Sequence, residues 1–323
     1  MRILSSAKTD AAKAELMDNV KNGLIIKGVG GFYTVLAEDK AEYVCKARGL
    51  FRKQQVTPVV GDRVEFALTD GAEPSPDPRA ANGYLLAILP RRNELIRPAV
   101  ANIDRLFIVI AASRPLPDLL LVDKLLIFCE KYGIEPLIAI SKCDEAEPSA
   151  VQSLLAEYAP AGYETFVVSA ETGEGLDELR KRLGGKVICL AGQSAVGKSS
   201  LLNAMLPGAE LAVGGLSRKT ERGRHTTRHT ELIPLPGGGA VLDTPGFSFL
   251  DSLELPPEEI RLMYPELAGA EENCRFTGCL HVSEPGCYVK KELLKNNGIT
   301  EQRYERYVRL VKEAEEQRRH RYD

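Results

Sequence analysis

The sequence predicts an α/β protein led by a small β-barrel, and three observations carry that prediction. Short strand-like runs separated by turn residues fill Gly23 to Pro98. From Asn102 apolar runs alternate with amphipathic helical stretches, and after about Leu255 the strand pattern gives way to a Cys/His cluster and a charged helical tail.

The first region contains "LIIKGVG", "FYTVLAE", "EYVCKARG", "DRVEFALTD" and "GYLLAILPR". Five short strands so close together favour a closed barrel, and the OB-fold is the five-stranded candidate. The Pro, Gly and Asp residues of "DGAEPSPDPRAANG" mark a loop between the last two strands. Residues 1–20, Ala-rich and charged, read as a loose helix or an unstructured lead. The second region offers six strands, "RLFIVIAA", "PLIAIS", "TFVVSA", "KVICLAG", "ELIPL" and "AVLDTPG". Between the first two, "PDLLLVDKLLIFCEKYG" reads as a helix that ends at a Gly suited to its C-terminus. Strands and helices in this rhythm give a mainly parallel sheet.

A chain of 323 residues exceeds one small core, and 44% apolar residues exclude a disordered or fibrous protein. No apolar run reaches the roughly 18 residues of a membrane span, and "MRILSSAKTD" lacks a signal-peptide core. A cytoplasmic protein with no membrane partner is therefore expected. The net charge of −3 argues against wholesale electrostatic capture of nucleic acid and leaves that task to local basic patches. Seven cysteines suit a reducing compartment better than a disulfide framework. Cys45, Cys129, Cys143 and Cys189 lie among apolar neighbours and read as buried, while the other three cluster with a histidine.

Gly192, Gly197, Lys198 and Ser199 match G-x-x-x-x-G-K-[ST], directly after "KVICLAG" and directly before the helix-prone "SSLLNAML". Such a loop turns backbone N–H groups toward phosphates and adds the positive end of a helix. Lys198 would reach the β- and γ-phosphates, and Ser199 would ligate Mg²⁺. Gln193, Ser194, Ala195, Val196 and Ser200 complete the expected nucleotide-binding stretch.

"SKCD", Ser141 to Asp144, follows the strand "PLIAIS". The Asp144 carboxylate can accept from both N1–H and N2–H₂ of guanine, whereas adenine presents an acceptor on that edge. Lys142 would cover the purine face with its stem, and Cys143 belongs to the same segment. After the next strand, "SAETGEGL" puts Ser169 and Ala170 in position to buttress the base. All three motifs stand at strand ends, where open α/β sheets bind ligands. Should Asp144 not face the base, an ATPase is the alternative.

"DTPG", Asp243 to Gly246, resembles a segment that senses the γ-phosphate: Asp243 would hold Mg²⁺ through water and the Gly246 N–H would meet the phosphate. Phe247 follows and cannot orient a water, so slow intrinsic turnover is expected. In "LSRKTERGRHTTRHTEL", Thr226 and Thr227 are candidates for the first switch. Arg218, Lys219, Arg222, Arg224 and Arg228 make this loop basic, either as a solvated surface or as an RNA contact. His225 is the candidate catalytic residue for positioning the water, beside Lys198; an exposed loop histidine is the other reading.

Cys274, Cys279, His281 and Cys287 form C-x₄-C-x-H-x₅-C. Three thiolates and an imidazole suit tetrahedral Zn²⁺, and a closed four-ligand set means structure and not catalysis. Gly278, Pro285 and Gly286 supply the turns such a knot requires.

Taken together, "RGLFRK", "PVVGDRV", "PRRNELIRP", "GQSAVGKSSLLN", "RGRHTT", "DTPGF" and the Cys/His knot resemble the small-ribosomal-subunit-dependent GTPase A family, RsgA or YjeQ, from about Gly23 onward. The resemblance implies an N-terminal five-stranded OB-fold barrel that binds RNA (1–98), a central circularly permuted P-loop GTPase domain (99–255) and a C-terminal helical zinc-binding domain (256–323). It implies hydrolysis of GTP to GDP and phosphate, stimulated by the 30S ribosomal subunit, late in maturation of that particle. Its implied partners are the 30S subunit, 16S rRNA and GTP or GDP with Mg²⁺, and a monomer is expected; a GTP-regulated rRNA-binding scaffold with little hydrolysis is the alternative. Arg48, Arg52, Lys53, Arg91, Arg92 and Arg97 of the barrel are candidates for tracking an RNA backbone. One departure stands out: where the family usually has Asn-Lys-x-Asp, this chain has a hydroxyl at Ser141 in place of the amide that bridges base and loop. Weaker nucleotide binding is expected from it.

Overall fold

The computed structural model describes residues 20–49, 51, 55–69, 73–74, 81–96, 98–206, 230–235, 237–243 and 255–320. Its contacts divide the chain into two compact units, one of residues 1–103, 185–187 and 214–245, the other of residues 104–184, 188–213 and 246–323.

In the first unit the five expected strands are present as β1 (Val20–Val29), β2 (Phe32–Ala37), β3 (Glu42–Ala47), β4 (Arg63–Leu68) and β5 (Gly83–Ile88). They run in the order β1-β2-β3-β5-β4, and β1 also pairs with β4, which closes the barrel. Inward-facing Ile25, Val35, Cys45, Val64, Phe66 and Leu85 fill it. The first strand begins at Val20, earlier than the apolar run suggests. Val20 to Gly23 are the residues that pair with Ala67 to Val64 of β4, so closure itself sets that length. The loop expected between β4 and β5 falls largely outside the described residues.

After the barrel comes a short ladder that periodicity did not foretell, β6 (Glu94–Leu95) against β7 (Val100–Ala101). Buried amides lock its ends. Asn93 exchanges hydrogen bonds with the Ile103 backbone at 2.8 and 2.9 Å, and Asn102 donates to the Gly61 carbonyl at 3.0 Å. Fully buried Asp62 accepts from the Arg91 Nε and Nη2 at 2.7 and 2.8 Å, and Glu94 takes the remaining nitrogen at 2.6 Å. Arg91 is thus already paired within the protein, where losing it would leave the buried Asp62 carboxylate without its cation. Arg52, Lys53 and Arg97 lie outside the described residues. The hairpin of β12 (Glu231–Pro234) and β13 (Ala240–Asp243) belongs to this unit too, with Glu231 of β12 opposite Lys27 of β1 and bonded to it at 2.9 Å.

The second unit is built on parallel strands in the order β10-β9-β8-β11: β10 (Glu164–Val167), β9 (Glu135–Ser141), β8 (Arg105–Ala111) and β11 (Val187–Ala191). Helices α1 (Leu119–Tyr132), α2 (Pro148–Tyr158), α3 (Leu176–Lys181) and α4 (Lys198–Met205) accompany them. Asp118 caps α1 by accepting the Leu121 N–H, and Gly133 ends it in the left-handed region at φ 61°. The C-terminal part adds the short α5 (Pro257–Ile260) and the long α6 (Glu301–His320). Tyr264, Val289, Tyr307, Leu310 and Val311 pack there with Ile127 of α1.

The tail that reads as a charged helix is anchored by its charges. Arg303, 1% exposed, donates to Asp123 Oδ1 of α1 at 2.6 Å and pairs with Glu266. Arg306 donates to Asp123 Oδ2 at 2.5 Å and to Glu157 at 2.6 Å. Burial lifts the Asp123 carboxyl, and the two guanidiniums oppose that lift. Arg303 also lies over the rings of Tyr158 and Tyr264. Removing one partner from such a set strands the others without water. Arg303→Met is accordingly expected to destabilise the protein by about 3–5 kcal/mol, read as a lower urea midpoint at unchanged slope.

Candidate functional site

The phosphate loop leaves the end of β11 through a position that only glycine can occupy. Gly192 has φ 133°, and a Cβ built there would sit 2.2 Å from the Val109 carbonyl oxygen of β8. Gly197, at φ 91°, then turns the chain into α4. Between them Ala195 is held at φ 65°, outside the range L side chains favour. Lys198 opens α4 and donates back to the Gly192 carbonyl at 2.8 Å and to that of Gln193. Burial lowers its pKa, as expected for an ammonium drawn into a loop. Ser194 and Ser200 are exposed, Ser199 half-buried and Val196 fully buried.

Ser141 brings the second motif to this loop. It ends β9, is 4% exposed, and its Oγ lies 2.6 Å from the Val196 carbonyl and 3.1 Å from that of Ile110. One hydroxyl proton serves the shorter contact, so a serine makes the link between the SKCD segment and the loop between Gly192 and Gly197. Lys142 follows at φ 57° and donates to the Arg114 carbonyl at 2.8 Å. Its Cε lies 3.9 Å from where a Cβ on Gly197 would be. Asp144 is exposed in the one-turn helix Cys143–Glu145. The Cys143 N–H points to the Val168 carbonyl at 3.5 Å, which brings the end of β10 alongside. Burial raises the Cys143 thiol, with Glu174 adding to the effect. Buried Ser169 accepts the Glu171 and Thr172 N–H groups at 3.2 and 3.0 Å, fixing the loop that carries half-buried Ala170.

His225, Thr226, Thr227 and Gly246 lie outside the described residues, as do Phe247 and the basic loop around them. Asp243 closes β13, but its side chain is not among those described.

Cys274, Cys279, His281 and Cys287 converge as their spacing requires: their ligand atoms all lie within 4.8 Å of one another. His281 Nδ1 is 3.5 Å from the sulfurs of both Cys274 and Cys287. Tetrahedral Zn–S and Zn–N bonds of ordinary length put sulfur and nitrogen about 3.6 Å apart, so the donor set fits such an ion. His281 is fully buried and its Nε2 has no hydrogen-bond partner among the described residues, while Nδ1 is the nitrogen that faces the thiols. Tyr304 and Tyr307 of α6 brace the knot, donating to the carbonyls of His281 and Leu280 at 2.6 Å each. Glu284 accepts three backbone N–H groups of the same turn, from Leu280, Val282 and Ser283.

Two groups of residues escaped the sequence. The Gln193 side chain, expected only as part of the loop backbone, accepts the Asp118 N–H at 3.0 Å. Arg303 stands at the N-terminal end of the apolar stripe Tyr307, Leu310, Val311 and Ala314, and an arginine in line with such a stripe at helical spacing was the available signal.

A family model described as RsgA GTPase matches residues 88–253, and one described as RsgA N-terminal domain matches residues 22–74. The chain belongs to the RsgA GTPase family. It is a GTP-hydrolysing enzyme, and its barrel, permuted nucleotide domain and Cys/His segment agree with the architecture expected from sequence. The small ribosomal subunit biogenesis GTPase RsgA of Caldanaerobacter subterraneus subsp. tengcongensis is 44% identical over 300 residues, 93% of this chain and 98% of that one. The RsgA of Ruminiclostridium cellulolyticum is 44% identical over 291 residues, 90% and 92% of the two chains. Among solved structures, YjeQ from Thermotoga maritima superposes with a TM-score of 0.77 at 35% identity, covering 91% of this chain and 98% of that one. YloQ, described as a circularly permuted GTPase, gives 0.75 at 32% identity, covering 92% and 96%.

The Ser141 link yields a direct test. Ser141→Ala leaves the Val196 carbonyl buried without its donor, a loss of about 1–3 kcal/mol, and GDP binding measured by calorimetry is expected to weaken by about tenfold.

Proposed function

We propose that this GTPase acts in biogenesis of the small ribosomal subunit, late in maturation, with the 30S particle as its activator and 16S rRNA as its contact. The observation that best supports the site is the Ser141–Val196 hydrogen bond, because it joins the SKCD segment to the phosphate loop although the chain carries them in reverse order. The names of the relatives, small ribosomal subunit biogenesis GTPases, supply the particle. Functionally the chain divides into 1–98 for RNA contact, 99–255 for nucleotide and 256–323 for the knot. It works as a cytoplasmic monomer.

In this reading the backbone from Gly192 to Ser200 cradles the phosphates and Lys198 carries the counter-charge to them. Asp144 reads guanine, Lys142 covers its face, and Cys143, Ser169 and Ala170 close the base pocket. Magnesium bound by Ser199 and Asp243, with Thr226 or Thr227, would neutralise charge on the phosphates. Gly246 contacts the γ-phosphate and His225 positions the attacking water. Zinc held by Cys274, Cys279, His281 and Cys287 would be structural, since four protein donors leave no open position.

Phosphate release with and without 30S particles tests the activation. The particle is expected to raise turnover by roughly 10²-fold or more, within what an activator can add to such a site; equal rates would leave a GTP-regulated scaffold instead. Base reading is tested separately. Asp144→Asn replaces one acceptor by an NH₂ donor that opposes the guanine amino group and suits xanthine. GTP affinity is expected to fall by about 100-fold while xanthosine triphosphate gains, and unchanged selectivity would remove Asp144 from the site.

A further inference from the structure

Gln193 is second in the phosphate loop, yet its side chain is engaged elsewhere: its carbonyl oxygen accepts the backbone N–H of Asp118 at 3.0 Å. Asp118 is the cap of α1 and accepts the Leu121 N–H at 3.0 Å. The residues just before it are held to the base segment as well, by Lys142 on the Arg114 carbonyl at 2.8 Å and by Ser113 on Glu145 at 2.9 Å. The start of α1 is thus fastened to both nucleotide motifs.

Five residues further on, about 7.5 Å along the helix axis, Asp123 is gripped by Arg303 and Arg306 of α6. Between and beside those arginines, Tyr304 and Tyr307 bond the His281 and Leu280 carbonyls of the Cys/His knot. From loop to knot the route runs through one hydrogen bond onto the cap of α1, a buried ion-pair set between α1 and α6, and two tyrosine hydrogen bonds from α6 to the turn that carries His281. At the loop end, the Lys198 ammonium donates to the carbonyls of Gly192 and Gln193. A phosphate that draws on the same ammonium competes with those bonds and shifts the Gln193 backbone.

We propose that Gln193 is a positioning residue which couples the phosphate loop to the Cys/His knot through α1 and α6. The proposal rests on the loop binding nucleotide. Coupling of this kind is reciprocal, so nucleotide should order the knot by the same factor by which an intact knot tightens nucleotide binding.

Amide hydrogen exchange on the full chain, with and without saturating Mg²⁺ and GDP, reads it. In the wild type GDP is expected to slow exchange across Cys274–Cys287 and the first half of α6 by about fivefold or more, relative to the β9 strand. Gln193→Met, of equal length but without an acceptor, is expected to lose that distant protection at a GDP concentration that saturates the variant by its own calorimetric titration. Gln193→Glu keeps an acceptor and should retain it. The double variant Tyr304→Phe, Tyr307→Phe cuts the far end, leaves the loop contacts intact, and should lose both the protection and the matching factor in GDP affinity. Equal exchange at the knot with and without GDP in the wild type, or full protection surviving in Gln193→Met, overturns the proposal. Absence of GDP protection at residues 192–199 in the wild type overturns the nucleotide reading and this coupling with it.

Discussion

Ser141 donates to the Val196 carbonyl across 2.6 Å from a position water scarcely reaches, and that contact holds the SKCD segment against the loop between Gly192 and Gly197. It pins the end of β9 to a loop that itself leaves β11 through the close approach of Gly192 to Val109. Neither motif is a site alone. A phosphate loop without a neighbour reads no base, and a base-reading carboxylate without the loop holds nothing. Burial makes this hydrogen bond costly to lose, because the Val196 carbonyl would be left without its donor away from water.

The order of motifs along the chain follows from the same geometry. In a parallel sheet, ligand groups gather at the carboxyl ends of the strands whatever the order in which the strands are connected. Here β8 lies between β9 and β11, so the loop after each of the three can meet the others. Lys142 on the Arg114 carbonyl and Gln193 on the Asp118 N–H are those meetings. The connections can be rearranged as long as this edge is preserved.

The C-terminal part is tied to α1 by a buried charge network as well as by apolar packing. Asp123, Glu157, Glu266, Arg303 and Arg306 are paired away from water, and such a network tolerates little displacement, because any separated member keeps its desolvation cost. Tyr304 and Tyr307 pass that rigidity to the knot. The three cysteines and the histidine are thereby held together by their own short turn and, from behind, by α6.

What was legible in the sequence was local. Alternation predicted the five barrel strands, apolar runs predicted β8 to β13, and spacing predicted the tight loop from Gly192 to Lys198 and the convergence of the Cys/His set, because dihedral preference and short-range spacing act within a few residues of chain. Tertiary structure alone decided which polar groups would meet. That Arg91 pairs with Asp62, that Arg303 is buried, and that Ser141 reaches Val196 depend on groups far apart in sequence. A hydrogen bond or ion pair is set by distances of a few ångströms in space, and one sequence carries no record of those distances until the chain has folded.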